Sequence, residues 1–224
     1  MTYVLCDSSS LISLTGACLE GMLYFLHEKH KVRFMVPQSV VEESVNRPLS
    51  MKSKIYSFSA LRIKDLINDG VVEVTDVEVM EDTRRLLKEA NNIFFARGKP
   101  IHLIDLGETE MLAAAHELQV PNLLMDERTT RMLIEGPPLL RSHLEKELHV
   151  NIMVNRPNLQ KFADYAKGMQ VIRSCDAAVI AYENGYFKSF QDMEKQAAEA
   201  ALYKIKFSGC SISFNEIAEY VRGL

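Results

Sequence analysis

Tyr3, Val4, Leu5 and Cys6 form a short unbroken run of apolar strand formers, closed by Asp7, Ser8, Ser9 and Ser10. An apolar run ending on turn-type residues is the pattern of a central parallel strand buried on both faces. Such a strand delivers Asp7 to the carboxyl edge of the sheet, where open α/β folds place their ligands. The serines are suited to cap a helix begun by Leu11, Ile12 and Leu14, and taken alone Asp7 reads equally well as part of that cap. Ala17 to His30 then has helical spacing, Val32 to Val36 reads as a second strand ended by Pro37, and Ser39 precedes a helix over Val40 to Val45. Lys52 to Asn68 reads as a helix closed by Gly70, Val71 to Thr75 as a third strand, and Val79 to Ala96 as a helix stopped by Gly98 and Pro100. Met111, Leu112, Ala115 and Leu118 mark another helix. Asn122 to Met125 repeats the logic of the opening run, an apolar strand that ends on an aspartate, Asp126. Leu139 to Leu148 reads as a helix and Val150 to Val154 as a fifth strand, and from Arg156 onward the periodicity is helical.

Strands alternating with helices imply right-handed crossovers and a parallel sheet. The expected fold is a three-layer α/β/α sandwich around a central parallel sheet of about five strands, with residues 1–155 as the core. Residues 156–224 are expected to be a helical part that packs on that core or at a homodimer interface. A length of 224 residues and a hydrophobic content of 47% suit one large domain of this kind. The net charge of −4 argues against non-specific coating of DNA and leaves room for a local basic groove. Lys52, Lys54, Arg62 and Lys64, with Tyr56 and Phe58 interleaved, are one such stretch, which reads more readily as a solvated helix face. Cys6, Cys18, Cys175 and Cys210 are too widely spaced for a zinc motif or a disulfide framework and are expected to be reduced thiols. With no signal-peptide pattern and no run of about 18 apolar residues, the expectation is a soluble, cytoplasmic protein without membrane association.

The candidate chemistry lies in carboxylates. If the first and fourth strands are neighbours, Asp7 and Asp126 meet at the point where the strand order reverses. Glu43, three residues after Val40, and Glu108 can reach the same cleft from flanking helices. The plainer reading of Glu42, Glu43, Glu108 and Glu110 is that acidic residues suit the first turn of a helix. Crowded carboxylates are costly, since two unit charges about 4 Å apart repel by roughly 4 kcal/mol at an effective dielectric near 20. A divalent cation relieves that cost, and all-oxygen ligation selects Mg²⁺ or Mn²⁺, the equipment of phosphodiester hydrolysis. The six histidines form no metal-spaced pair.

These residues carry a resemblance to the PIN-domain family of ribonucleases. YVLCDSSSLISL resembles its opening strand, VPQSVVEE its second acidic segment, and LGETEMLAAAHEL followed by NLLMDERTTR its third and fourth. The Gly-Glu form of the third segment is similar to predicted nucleic-acid-binding PIN proteins close to the VapC-like toxins. CDAAVIAYENGYF and LYKIKFSGCSIS resemble the family's C-terminal part. The chain departs from compact toxin relatives in its extra residues around Lys52–Lys64 and Arg156–Gln170. It also has Glu rather than Asp as third acid, with Asp105 and Glu110 as nearby substitutes. The resemblance implies a Mg²⁺- or Mn²⁺-dependent endoribonuclease with Asp7, Glu43, Glu108 and Asp126 as metal-holding and catalytic residues. It also implies an RNA partner contacted by Arg128, Arg131 and the Lys52–Lys64 stretch. The alternatives are a PIN-like module that binds RNA or protein without cutting, and a toxin restrained by a small antitoxin. A receiver or phosphatase on a similar sheet is disfavoured, because no Asp-x-Asp pair or strand-end lysine accompanies Asp7 or Asp126.

Overall fold

In chain order the strands are β1 (Thr2–Cys6), β2 (Val32–Pro37), β3 (Val72–Thr75), β4 (Phe94–Ala96), β5 (Lys99–Pro100), β6 (Asn122–Leu124), β7 (Ile152–Val154) and β8 (Gln170–Ile172), in a computed structural model that describes Met1–Leu224. Five of them form one parallel sheet in the order β3-β2-β1-β6-β8. The order grows outward from β1 to one side and then jumps to the other, so β1 and β6 flank the reversal point. Strand β1 shows why the sheet is sandwiched. Val4 and Cys6 pack into one buried cluster, with Leu11, Leu14, Leu23, Val40 and Ile63, while Leu5 packs into the opposite one, with Leu86, Phe94, Met111, Leu112 and Phe162. That is the two-residue period of a strand covered on both faces. The architecture is the expected three-layer α/β/α fold.

Three local expectations are corrected. Val79 to Ala96 does not stay helical: the helix Met80–Ala90 ends, and Phe94 enters β4. Arg97 and Gly98 both take positive φ, +50° and +77°, the left-handed pair that a tight two-residue hairpin between β4 and β5 requires. Strand β7, at the expected place of the fifth strand, pairs antiparallel with β4 in a separate small sheet rather than joining the central one. The segment after Arg156 is not wholly helical, because Gln170–Ile172 forms β8 and pairs in parallel with β6. Its helices also supply Cys175, Leu202, Ile205 and Ile217 to the cluster that contains Val4. A cut at residue 155 therefore divides the central sheet. A 1–155 fragment, which leaves the β6 edge and that cluster uncovered, is expected to be aggregated or unfolded by circular dichroism. Limited proteolysis of the full chain should release no folded 156–224 piece.

Candidate active site

The Asp7 N–H continues the ladder beyond β1 by donating to Leu124 O at 2.9 Å, which fixes Asp7 beside the end of β6. Its side chain is the N-cap of the helix Ser8–Gly16, with Oδ2 accepting from the Ser9 N–H at 3.1 Å and from the Ser9 hydroxyl. The capping residue is thus Asp7 itself, and the serines form the first turn. This capping carboxyl is also buried and pushed up to about 6. Burial is the main cause, opposed by the Ser9 hydrogen bonds and reinforced by the charge of Glu43.

Glu43 lies in a five-residue π turn, Glu42–Asn46, set between the helical turns Gln38–Val41 and Arg47–Ser50. The wide turn explains why Val40 and Val45, five apart, are both buried while Glu43 remains exposed. Its Oε2 stands 3.4 Å from the point a Cβ would occupy on Gly107, so glycine there lets this carboxylate approach the next helix closely. That helix, Leu106–Glu117, carries Glu108 in its first turn, with Oε2 accepting from the Asp105 N–H at 2.8 Å. Glu108 is pushed up to about 7, first by burial and then by the charge of Asp7. Asp7 is thus within electrostatic reach of both Glu43 and Glu108.

Asp126 joins this group differently. Its N–H donates to the Ser9 hydroxyl at 3.3 Å, and that hydroxyl in turn donates to Asp7, so one serine links the two strand-end aspartates. Both carboxylate oxygens of Asp126 are taken by Ser174: Oδ1 accepts from the N–H at 2.8 Å and Oδ2 from the hydroxyl at 2.7 Å. The Asp126 carboxylate is thereby held against the start of the helix Ser174–Glu183.

The nearby substitutes for the third acid point elsewhere. The exposed Asp105 side chain pairs with His102, and Glu110 lines a separate hollow of about 340 Å³ with Asp76, Glu78 and Thr83. Arg128 and Arg131 line a neighbouring groove of about 570 Å³ together with Lys206, and Arg131 pairs with Glu135 at 3.3 Å.

Neither Ser9 nor Ser174 stands out in the sequence. Ser9 stood in a run of serines that any helix start could use. Ser174 lies beyond the last recognised strand, and its role depends on β8 placing it opposite Asp126.

Burial and a neighbouring carboxylate raise the proton affinity of both Asp7 and Glu108, and carboxylate oxygens are the donors that hard cations take. No three His, Cys, Asp or Glu side chains stand close enough together to hold a metal ion. No family model, curated protein or solved structure matches the chain. No single helix is long and apolar enough to cross a membrane.

Proposed function

We propose that the chain is a divalent-cation-dependent endoribonuclease of the PIN type. One observation carries the reading: the buried Asp7 carboxyl at the end of β1, beside the reversal point of a parallel sheet, interacts unfavourably with the charges of both Glu43 and Glu108, a cost that a bound cation would offset. Asp7 and Glu43 would hold Mg²⁺ or Mn²⁺, which supplies charge for an in-line displacement at phosphorus and lowers the proton affinity of water. Ser9 fixes the Asp7 carboxylate by two hydrogen bonds, so that its rotamer is set before substrate arrives. Glu108, titrating near neutrality with Oε2 anchored by the Asp105 N–H, is suited to accept the proton of the attacking water at Oε1. Asp126 positions Asp7 through Ser9 and ties the Ser174 helix to the site.

Glu108→Gln keeps the anchored oxygen and removes the proton acceptor. It is expected to lower cleavage of total RNA with Mn²⁺ by about 100-fold or more, as general bases commonly contribute. Asp7→Asn should be inactive in the same assay. Equal cleavage by wild type and both variants would place the chemistry elsewhere. A second reading, a module that binds RNA without cutting it, is favoured by the occupation of both Asp126 oxygens by Ser174, and it predicts RNA binding with no cleavage in any cation.

A further inference from the structure

We propose that the segment Met51–Tyr56, together with the start of the helix Ser57–Asn68, is an anchor that seats the protein on the surface of an anionic lipid bilayer. The inference does not depend on the nuclease reading, and its test reads no cleavage.

Met51 to Tyr56 are six consecutive exposed residues, of which Met51, Ile55 and Tyr56 are apolar. Ile55, 79% exposed, is the most exposed large apolar side chain of the whole chain. The following helix extends the patch. Its Ser59, Ala60 and Ile63 face the core, while Phe58 and Leu61, three residues apart, are exposed on the outer side. The tip is also tied in shape. The Met51 N–H donates to Arg47 O at 3.1 Å, Lys54 Nζ to Leu49 O at 2.9 Å and the Ser57 N–H to Lys54 O at 3.1 Å. A turn fixed in this way presents its apolar side chains outward with little ordering left to do on docking.

The charge around the tip has one sign. From Arg47 to Lys64 the chain carries five cations and no carboxylate, although its net charge is −4. Arg62 is paired with Glu20 at 3.3 Å, and Arg47, Lys52, Lys54 and Lys64 are left without an ionic partner. The flanking carboxylates lie back from the tip, Asp65 being two helical turns beyond Phe58.

Single exposed apolar side chains are ordinary, but a contiguous patch marks an interaction site. Apolar side chains collared by lysines fit a surface that is anionic outside and hydrocarbon beneath. The lysines reach lipid phosphates while Ile55 and its neighbours enter the boundary between headgroups and acyl chains. The family resemblance would give these cations to RNA, but RNA offers phosphate without hydrocarbon. Met51, Ile55 and Leu61 have no ring to stack on a base, and the Phe58 ring already has the Arg62 guanidinium carbon 5.2 Å from its centre. No single helix spans a bilayer, and adsorption of this kind needs none.

The test uses the full chain, which contains no tryptophan, so that Ile55→Trp introduces a single reporter at the tip. Its emission is expected to shift to shorter wavelength with vesicles of mixed phosphatidylglycerol and phosphatidylcholine, and to stay unmoved with phosphatidylcholine alone. The wild type should cosediment with the anionic vesicles and be released as salt screens the lysines. Ile55→Ser should weaken that binding about tenfold, and Lys52→Ala with Lys54→Ala about 30-fold. These side chains are exposed, so circular dichroism of the variants should match the wild type. Failure of the wild type to cosediment with anionic vesicles overturns the anchor, as does unchanged binding in both the serine and the lysine variants. If only the lysines matter and the tryptophan emission does not move, the surface attracts anions without entering the bilayer, and the anchor is again overturned. If Ile55→Ser instead converts a dimer to a monomer, or lowers affinity for single-stranded RNA while vesicle binding is unchanged, the patch has another occupant and the proposal fails.

Discussion

Asn in place of Asp7 is expected to raise the melting temperature of the cation-free protein at pH 8, and by much less at pH 4.5. The Asp7 carboxyl titrates at about 6 in the folded chain against an ordinary value of 3.8, so the folded state binds its proton more tightly than the unfolded state. A carboxyl raised in this way favours folding while protonated. Its cost appears as pH rises past the unfolded value and is complete above the folded one. A shift of this size corresponds to about 3 kcal/mol above pH 7, of which about 2 kcal/mol develops between pH 4.5 and pH 8. At roughly 2–4 °C per kcal/mol for a chain of this length, the variant's advantage should grow by several degrees over that interval. Comparing variant with wild type isolates Asp7 from carboxyls shifted the other way, such as Glu216, which is held down to about 2 by Ser213 and Arg173 against partial burial. Saturating Mn²⁺ should reverse the order, stabilising the wild type while leaving Asp7→Asn nearly unmoved. An Asp7→Asn advantage that is flat with pH would mean that the carboxyl is not strained.

Arg173→Met is expected to be the most destabilising single substitution outside the apolar core. The guanidinium, 9% exposed, donates to Asp176 Oδ2 at 3.2 Å, to Glu216 Oε1 at 2.9 Å, to Ser211 O at 3.3 Å and to the Tyr220 hydroxyl at 2.9 Å. It therefore clamps the last helix and its preceding loop onto the start of the Ser174–Glu183 helix. Removing one member of a buried ionic network leaves its partners uncompensated and commonly costs 3–5 kcal/mol. Asp176 and Glu216 retain access to water, so the lower figure, about 3 kcal/mol, applies, a fall in melting temperature of roughly 6–12 °C. Since Ser174 is the next residue and holds Asp126, the same variant should lose activity at temperatures where it is still folded. A loss below about 1 kcal/mol in chemical denaturation would show that the clamp contributes little.

The strands that position the cluster were legible because their apolar runs are long enough to signal themselves. YVLC and NLLM each end on an aspartate, and both lie where their pattern placed them, as neighbours. Strand β8 was not legible: it is three residues, Gln170–Ile172, between two helices, and it is a strand only because β6 offers an open edge. The β4–β5 hairpin was hidden for a related reason, since Ile93, Phe94 and Phe95 extend the apolar period of the preceding helix until Arg97 and Gly98 reverse the chain. At the candidate site, spacing singled out Asp7, Glu43, Glu108 and Asp126 but carried no information on what holds the Asp126 carboxylate. That depends on Ser174, 48 residues away in sequence, and on the packing of the C-terminal helices. The capping role of Asp7 does not compete with a functional one, because a helix cap at the end of a central strand is a fixed carboxylate at the mouth of the sheet.

The central claim, that Asp7 and Glu43 hold a cation beside Glu108, is tested most directly by anomalous scattering from crystals soaked in Mn²⁺. The account predicts a manganese peak at the Asp7 carboxylate, between Glu43 and Glu108, and its loss in Asp7→Asn crystals soaked in the same way. A peak elsewhere, or none beside Asp7 at saturating Mn²⁺, would contradict it.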